Sequence, residues 1–249
     1  MRKTAFLLIL AASSFTASAQ SDANSTTISN AIQELSSTVA GNSTTSAVGS
    51  FVSFHAAKEN TKGRRFLLAD WAKGSVTTNQ ELVLQNDNLA INYDKVSHDL
   101  YYSLDHKNVI EAERSHIKSF HLIAADGTTM DFCRLDLIKP EVFFQLFVPF
   151  DNAHYGLYSL TTTTFKKADY RTDGMVETGN NYDEYVDNVQ YYIVSPGGKA
   201  YQPVDLKKKS VRASMPNAKT KVEEYLSQHK NDDINELFLK GLIDYVNKS

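Results

Sequence analysis

Period-two alternation of apolar and polar residues dominates the middle of the chain and constrains its fold more than any other feature. Between Gly63 and Tyr201 the alternation recurs in short runs, for example at Leu89, Ile91 and Tyr93. The expected strands include residues 76–84 and 117–123, and the polar stretch 166–181 is expected to be a long surface loop that could carry the functional surface. Such runs are typical of β-strands with one face in the core and one in solvent. Turn residues separate the runs at intervals of roughly 8 to 12 residues, with no helical stretch between them. Neighbouring strands are therefore expected to pair antiparallel.

The period changes near the C-terminus. Val222, Tyr225 and Leu226 fit a short helix that begins near Asn217, just after Pro216. Asp233 followed by Glu236 resembles the capping box that starts a second helix. This second helix has a broad apolar stripe, made up of Ile234, Leu237, Phe238, Leu242, Tyr245 and Val246. We expect the stripe to pack on the sheet, against strands 89–93 and 100–104.

These two patterns together predict an α+β fold. The sheet is expected to be mainly antiparallel, a meander that is either curved or a half-barrel, and to be closed by a C-terminal helical pair at about 217–248. No linker separates the strands from the helices in the 249-residue sequence. One domain over residues 63–249 is the prediction.

The N-terminus predicts export. Arg2 and Lys3 precede an apolar run over residues 5–12, and Ala17-Ser18-Ala19 follows. This order is that of a signal peptide, with cleavage expected between Ala19 and Gln20. The apolar run is much shorter than the ~20 residues that span a bilayer. No cysteine lies directly after it, so we expect a periplasmic or extracellular protein that is not a lipoprotein and has no transmembrane segment after cleavage.

Residues 20–62 differ in composition from the rest. Ser, Thr, Asn, Ala and Gly dominate this segment, as in the run at 41–47. Such a composition buries too little apolar surface to offset the entropy lost on ordering the chain. We expect a flexible, low-complexity segment ahead of the folded domain.

Four short motifs stand out along the chain: Gly63-x-x-Phe66-Leu67, Trp71-x-x-Gly74-x-Val76, Asn92-Tyr93-Asp94 and the run Lys207-Lys208-Lys209. Together they resemble a family of exported proteins from Gram-negative bacteria that has no assigned activity. The resemblance covers about residues 63–247. It implies a periplasmic or secreted setting and contributes no catalytic residue.

The sequence has no familiar catalytic or cofactor-binding motif. Phosphate-binding glycine loops, G-x-S-x-G, H-E-x-x-H and C-x-x-C are all missing from it. The net charge of −3 argues against nucleic acid as a partner.

The histidines and the cysteine are candidates for metal ligands or catalytic groups. His116 and His121 lie five residues apart on one predicted strand, so their side chains face opposite sides of the sheet and no metal site is expected. Cys133 is the single cysteine and is expected to be a buried apolar residue, with a catalytic role as the alternative.

Aromatic residues are the main candidates for a binding surface. The chain has 13 Tyr, 13 Phe and 1 Trp. Exposed rings could stack on sugars or on a protein partner, although packing within the sheet is the competing explanation. The candidates are Trp71, Tyr93, Tyr101, Tyr182 and Tyr185.

Three classes of function stay open at this point. A non-catalytic binding or scaffolding module of the envelope, whose partner is a protein or a glycan, is favoured because the sequence offers no activated nucleophile. A hydrolase whose carboxylates assemble only in space is the first alternative. A carrier of a lipid or another apolar ligand is the second. No cofactor is expected for the favoured class.

Overall fold

The computed structural model describes residues 60–105 and 107–248, together with Asn30. The predicted signal peptide, its Ala19–Gln20 cleavage site and nearly all of the predicted flexible segment lie outside the described residues. Within them the α+β class is confirmed: a mostly antiparallel sheet is followed by a C-terminal helical pair.

The strands form one large sheet, one small sheet and a hairpin. In chain order the described strands are β1 (Thr61–Lys62), β2 (Lys73–Thr78), β3 (Val83–Gln85), β4 (Ala90–Tyr93), β5 (Leu100–Ser103), β6 (Ile110–Glu111), β7 (Ile117–Ile123), β8 (Thr129–Leu135), β9 (Lys139–Val148), β10 (Gly156–Lys166), β11 (Arg171–Asp173), β12 (Val176–Thr178), β13 (Asp183–Val194) and β14 (Tyr201–Val204). The large sheet has the order β1-β13-β10-β9-β8-β7-β2-β3, with β14 also on β13. The small sheet is β4-β5-β6, and β11-β12 is the hairpin.

Two parts of the meander differ from the sequence prediction. The single strand expected over residues 76–84 is the hairpin β2-β3, whose turn contains Glu81 at φ 62°. The long loop expected over residues 166–181 contains the hairpin β11-β12. β1 begins before the expected domain boundary at Gly63, because Thr61 and Lys62 pair with Asp183 and Glu184.

The helices at the C-terminus are α1 (Lys208–Ser214), α2 (Lys219–Gln228) and α3 (Glu236–Asn247). The pair α2 and α3 matches the sequence prediction. The sequence did not predict α1. This short helix begins within the run of three lysines, so its few apolar residues give only a weak helical period. The capping box expected from Asp233 and Glu236 is wrong, because the N-cap of α3 is Asn235, whose side chain accepts from the Phe238 backbone N–H at 3.0 Å.

One face of the large sheet carries two separate cores. The small sheet covers β2, β3, β7 and β8, where Phe120 stacks on Phe132 at 4.7 Å between ring centroids. The helices cover the other half of that face, against Leu157, Ile193 and Val204. Side chains of alternate residues in β9 and β10 form a third core on the opposite face.

The expected docking of the last helix on strands 89–93 and 100–104 is therefore wrong. Those strands bury their apolar residues against the large sheet, in the core that contains Phe120. The helices pack on β10, β13 and β14 instead. Leu237, expected within the buried stripe, is 73% exposed. Period-two alternation shows that a strand has an apolar face, but it does not show what covers that face.

The large sheet opens between β9 and β10. Their pairing covers Leu157, Tyr158 and Ser159 of β10 and ends at the Ser159–Gln145 pair. Beyond that pair no pairing joins the two strands, and the Lys95 carbonyl, in the segment 94–99 that joins β4 to β5, accepts from the Thr163 N–H of β10 at 3.2 Å. We call this opening the seam.

Candidate functional site

The outer half of β10 and the matching half of β13 extend as a two-stranded ribbon. Continuous antiparallel pairing joins them from Gly156–Val194 to Lys166–Glu184. β9 leaves β10 after Ser159, and β14 pairs only with residues 191–194 of β13. The hairpin β11-β12 lies at the tip, with Gly174 in its turn at φ 63°. We use "the ribbon" for residues 160–190.

The ribbon exposes an unusual share of large apolar side chains. Twelve such side chains are exposed among the described residues, and five of them lie on the ribbon: Phe165, Tyr170, Met175, Val176 and Val189. Met175, next to the turn glycine, is fully exposed. Single exposed apolar residues are ordinary on a protein surface, whereas their concentration on one element is typical of an interaction site.

Aromatic contacts organise the base of this surface. Phe165 and Tyr185 are cross-strand partners on one face of the ribbon, with ring centroids 4.8 Å apart. The Lys62 ammonium group lies 3.6 Å from the centroid of the Tyr182 ring. Because β1 pairs with β13, the backbone holds this cation over the ring. The result is an aromatic surface with a positive charge at its edge.

Arg65 connects this surface to the small sheet. Its Nε donates to Asp94 at 2.6 Å, and the Asp94 side chain is fully buried. The Tyr101 and Tyr185 hydroxyl groups both lie within electrostatic range of the Arg65 guanidinium group. Two of the predicted aromatic residues therefore interact electrostatically with the same arginine.

The structure places the five predicted binding residues in different surroundings. Tyr182 and Tyr185 are half-buried on the ribbon, and Trp71 is half-buried elsewhere, before β2. Tyr93 is only 2% exposed and packs among Phe120, Phe132 and Phe143, so its ring cannot stack on a ligand. Tyr101 is also buried, and burial together with the Glu111 carboxylate raises its pKa to about 12.

Sequence reasoning did not single out Phe165 or Tyr170, although it gave the loop 166–181, which contains Tyr170, as one possible functional surface. Phe165 ends the run Thr161-Thr162-Thr163-Thr164-Phe165, which looks like an ordinary strand. Its exposure depends on the separation of β9 from β10, and that separation has no local signature. The length of the predicted loop over 166–181 was the available signal, because loops of this length are often functional.

A cleft of about 490 Å³ lies beside the small sheet and is lined mostly by charged residues. Its two arginines are already engaged with the protein. Arg114 donates to Asp99 at 2.7 Å and to the Glu141 carbonyl at 2.9 Å. Arg134 donates to the Ser115 carbonyl at 3.0 Å. These bonds make the arginines cross-links between the two sheets, and the lining is unlike the apolar cavity that a lipid carrier requires.

Cys133, the alternative catalytic candidate, is poorly suited to act as a nucleophile. Burial raises the pKa of the Cys133 thiol to about 11, which leaves almost no thiolate near neutral pH. Among residues 60–105 and 107–248, no three His, Cys, Asp or Glu side chains are arranged to hold a metal ion. None of the helices described has the length and apolar character needed to cross a bilayer.

Comparison with known proteins adds no further information about function. No family model, curated protein or solved structure matches the chain. The candidate site therefore depends on the geometry of the ribbon alone.

Proposed function

We propose that this protein is an exported, non-catalytic binding or scaffolding module that engages an envelope protein or glycan through the ribbon. The observation that carries the proposal is the concentration of exposed apolar side chains on residues 165–189. Rings with two rotatable bonds supply large contact area at little entropic cost, which suits recognition.

The geometry of the ribbon supports this role in a second way. Binding residues need a rigid support, and the seven residue pairs of β10 and β13 from Leu160–Gln190 to Lys166–Glu184 provide one. The Phe165–Tyr185 contact and the Lys62–Tyr182 contact restrict these side chains before any partner arrives. Restricting them in advance reduces the entropy lost on binding.

A capture experiment tests the binding role. Tagged mature protein is incubated with envelope extract and with an array of envelope glycans, and bound material is compared between wild type and Phe165→Ala/Tyr185→Ala. We expect the double variant to lose at least 10-fold in captured partner, since hot-spot residues typically contribute 2 kcal/mol or more.

Leu237→Ala is the matched control, because Leu237 is an apolar residue of α3, away from residues 160–190 in sequence, and it is more exposed than Phe165. It should capture as much as wild type. Equal capture by the double variant and wild type would contradict a role for the ribbon.

Export is tested separately by N-terminal sequencing of the protein from the envelope or the medium. The order of charged, apolar and small residues at positions 2–19 supports a mature chain that begins at Gln20. Recovery of the exported protein with Met1 intact would contradict it.

A further inference from the structure

The outer edge of β13 is paired at both ends and open in the middle. β1 pairs with Asp183 and Glu184, and β14 pairs with residues 191–194. Residues 185–190 lie between these two pairings, a length of about 20 Å at the rise of a β-strand. Within the part of the chain that the structure describes, no strand pairs with this stretch on the side away from β10. We call the open edge of residues 185–190 the slot.

Alternate residues of β13 direct their backbone groups into the slot. The Asp183 N–H donates to the Asn60 carbonyl at 3.0 Å, so Asp183 faces the outer edge. Pairing of β13 with β10 continues without a bulge, and the period of two therefore brings Asp187 and Val189 to the same edge. The N–H and C=O groups of these two residues have no hydrogen-bond partner among residues 60–105 and 107–248.

Backbone contacts close the slot at its two ends. At one end, a methyl group added to Gly63 would lie 2.1 Å from the Tyr185 carbonyl oxygen, so the chain after β1 meets β13 there and turns away. At the other end, the Gln190 side chain donates to the Tyr191 carbonyl at 3.0 Å and to the Val204 carbonyl at 3.2 Å. The open edge is therefore a short gap between two strands and not a long free edge.

The slot lacks the features that usually protect an open strand edge, which are proline, charged side chains or a covering element. β14 has such a feature, because Pro203 lies opposite Tyr192, where the backbone nitrogen turns away from β13. Residues 185–190 contain no proline, and their single charged residue, Asp187, is held by the Lys95 ammonium group at 2.8 and 2.6 Å. Residues 187–189 are exposed. The backbone of the slot is thus open to another chain.

The geometry of this edge admits a single strand and excludes the β13 strand of a second copy. A second copy would bring its own β1 and β14 to the same edge. In an antiparallel arrangement its β1 would meet β14 of the first copy, and in a parallel arrangement the two β1 strands would meet. An extended segment of about four to six residues has no flanking strands and fits the gap. The other edge of the ribbon, at the seam, is partly filled, because Thr163 donates to the Lys95 carbonyl there.

We infer that the slot binds an extended polypeptide segment of the partner by strand addition, so that the segment becomes an extra strand between β1 and β14. The inference rests on the proposed binding role of the ribbon and narrows its partner from an envelope protein or glycan to a polypeptide. Alternate residues of the segment bond to the backbone groups of Asp187 and Val189. Their side chains lie beside Val189, which is 47% exposed, and beside the Tyr185 ring, so apolar residues are expected at every second position.

Selection from a phage-displayed library of random heptapeptides on the full mature chain tests the inference. Peptides enriched on the wild type are synthesised, and their Kd is measured by fluorescence anisotropy. Val189→Pro removes an N–H that points into the slot, at an edge where proline is tolerated, and should weaken binding about 10-fold or more. The control Val189→Thr keeps this N–H and a β-branched side chain, and should change Kd by less than about threefold.

Methylation of single backbone nitrogens of the peptide requires no change in the protein, so it covers the case in which Val189→Pro does not fold. Strand addition predicts a period of two, with Kd weakened about 10-fold at residues that face β13 and changed less than about threefold at the residues between them. Hydrogen exchange locates the bound peptide. The Asp187 and Val189 amides should exchange rapidly in the free protein and become protected in the complex.

The inference is overturned if no peptide is enriched over a support without protein, if the peptides bind Val189→Pro as tightly as wild type, or if N-methylation shows no period of two. Protection of the Asp187 and Val189 amides in the free protein would also overturn it, because residues of the same chain would then fill the slot. Envelope capture separates this inference from the binding role itself: loss of the partner by Phe165→Ala/Tyr185→Ala, with full capture by Val189→Pro, would mean that the ribbon binds without strand addition.

Discussion

Replacement of Phe238 by alanine is the most direct test of how the helices stabilise this fold. Phe238 is 6% exposed, and its ring packs edge-on against Tyr225, with centroids 5.3 Å apart. It belongs to the core that the helices share with β10, β13 and β14. Removal of a buried phenylalanine costs ~3–5 kcal/mol, because apolar burial is lost and a cavity remains.

This loss is large relative to the total stability of a domain, which is about 5–15 kcal/mol. For a domain of this size each kcal/mol lowers Tm by roughly 2–4 °C, so we expect a decrease of about 6–20 °C. Urea titration followed by circular dichroism, with thermal melts in parallel, measures the change.

The neighbouring residue provides the matched control. Leu237 lies on the same helix and is similarly apolar, but it is 73% exposed. Leu237→Ala should change the free energy of unfolding by less than about 0.5 kcal/mol. If both variants lost similar stability, or if Phe238→Ala lost none, the assignment of this helix to the core would be refuted.

Two further predictions concern other parts of the molecule. Asp187→Ala leaves the buried Lys95 ammonium group without its carboxylate and should lower the free energy of unfolding by ~2–3 kcal/mol. The control Glu223→Ala breaks an exposed ion pair and should lower it by less than ~1 kcal/mol. Equal losses in urea titrations would contradict the role of the Lys95 contact. Burial raises the pKa of the Cys133 thiol to about 11, so little thiolate is present at pH 8. Cys133 should therefore react with iodoacetamide at pH 8 about two orders of magnitude more slowly in the folded protein than in urea. Similar rates in the two conditions would show that the thiol is accessible and ionised in the folded protein.

Much of the secondary structure could be predicted because it depends on local periodicity. The strand expected at residues 117–123 is β7, with the same bounds. The helical pair α2 and α3 also follows from the spacing of its apolar residues. α1 and the hairpin β11-β12 were missed, since each is short and mostly polar and gives a weak periodic signal.

The binding candidates illustrate a different limit. Both Tyr93 and Tyr185 were predicted to contribute to a binding surface. The local sequence gives no reason to place one in the core and the other on the surface. In the structure Tyr93 lies in an aromatic core, while Tyr185 lies on the ribbon. A tyrosine has an apolar ring and a polar hydroxyl group, so it is stable both in a core and on a surface. The residue type alone therefore does not predict which of the two it occupies.

The sequence by itself determined most of the strands and the helical pair α2 and α3, and that the two are combined in one α+β fold, because these properties depend on neighbours a few positions apart. Tertiary structure alone decided that the helices and the small sheet share one face of the large sheet. It also decided that the pairing of β9 with β10 ends at Ser159, and that Lys95 contacts Thr163 and Asp187 beyond that point. These outcomes depend on contacts between residues far apart in the chain, such as Lys95 and Asp187, and local periodicity carries no information about such contacts.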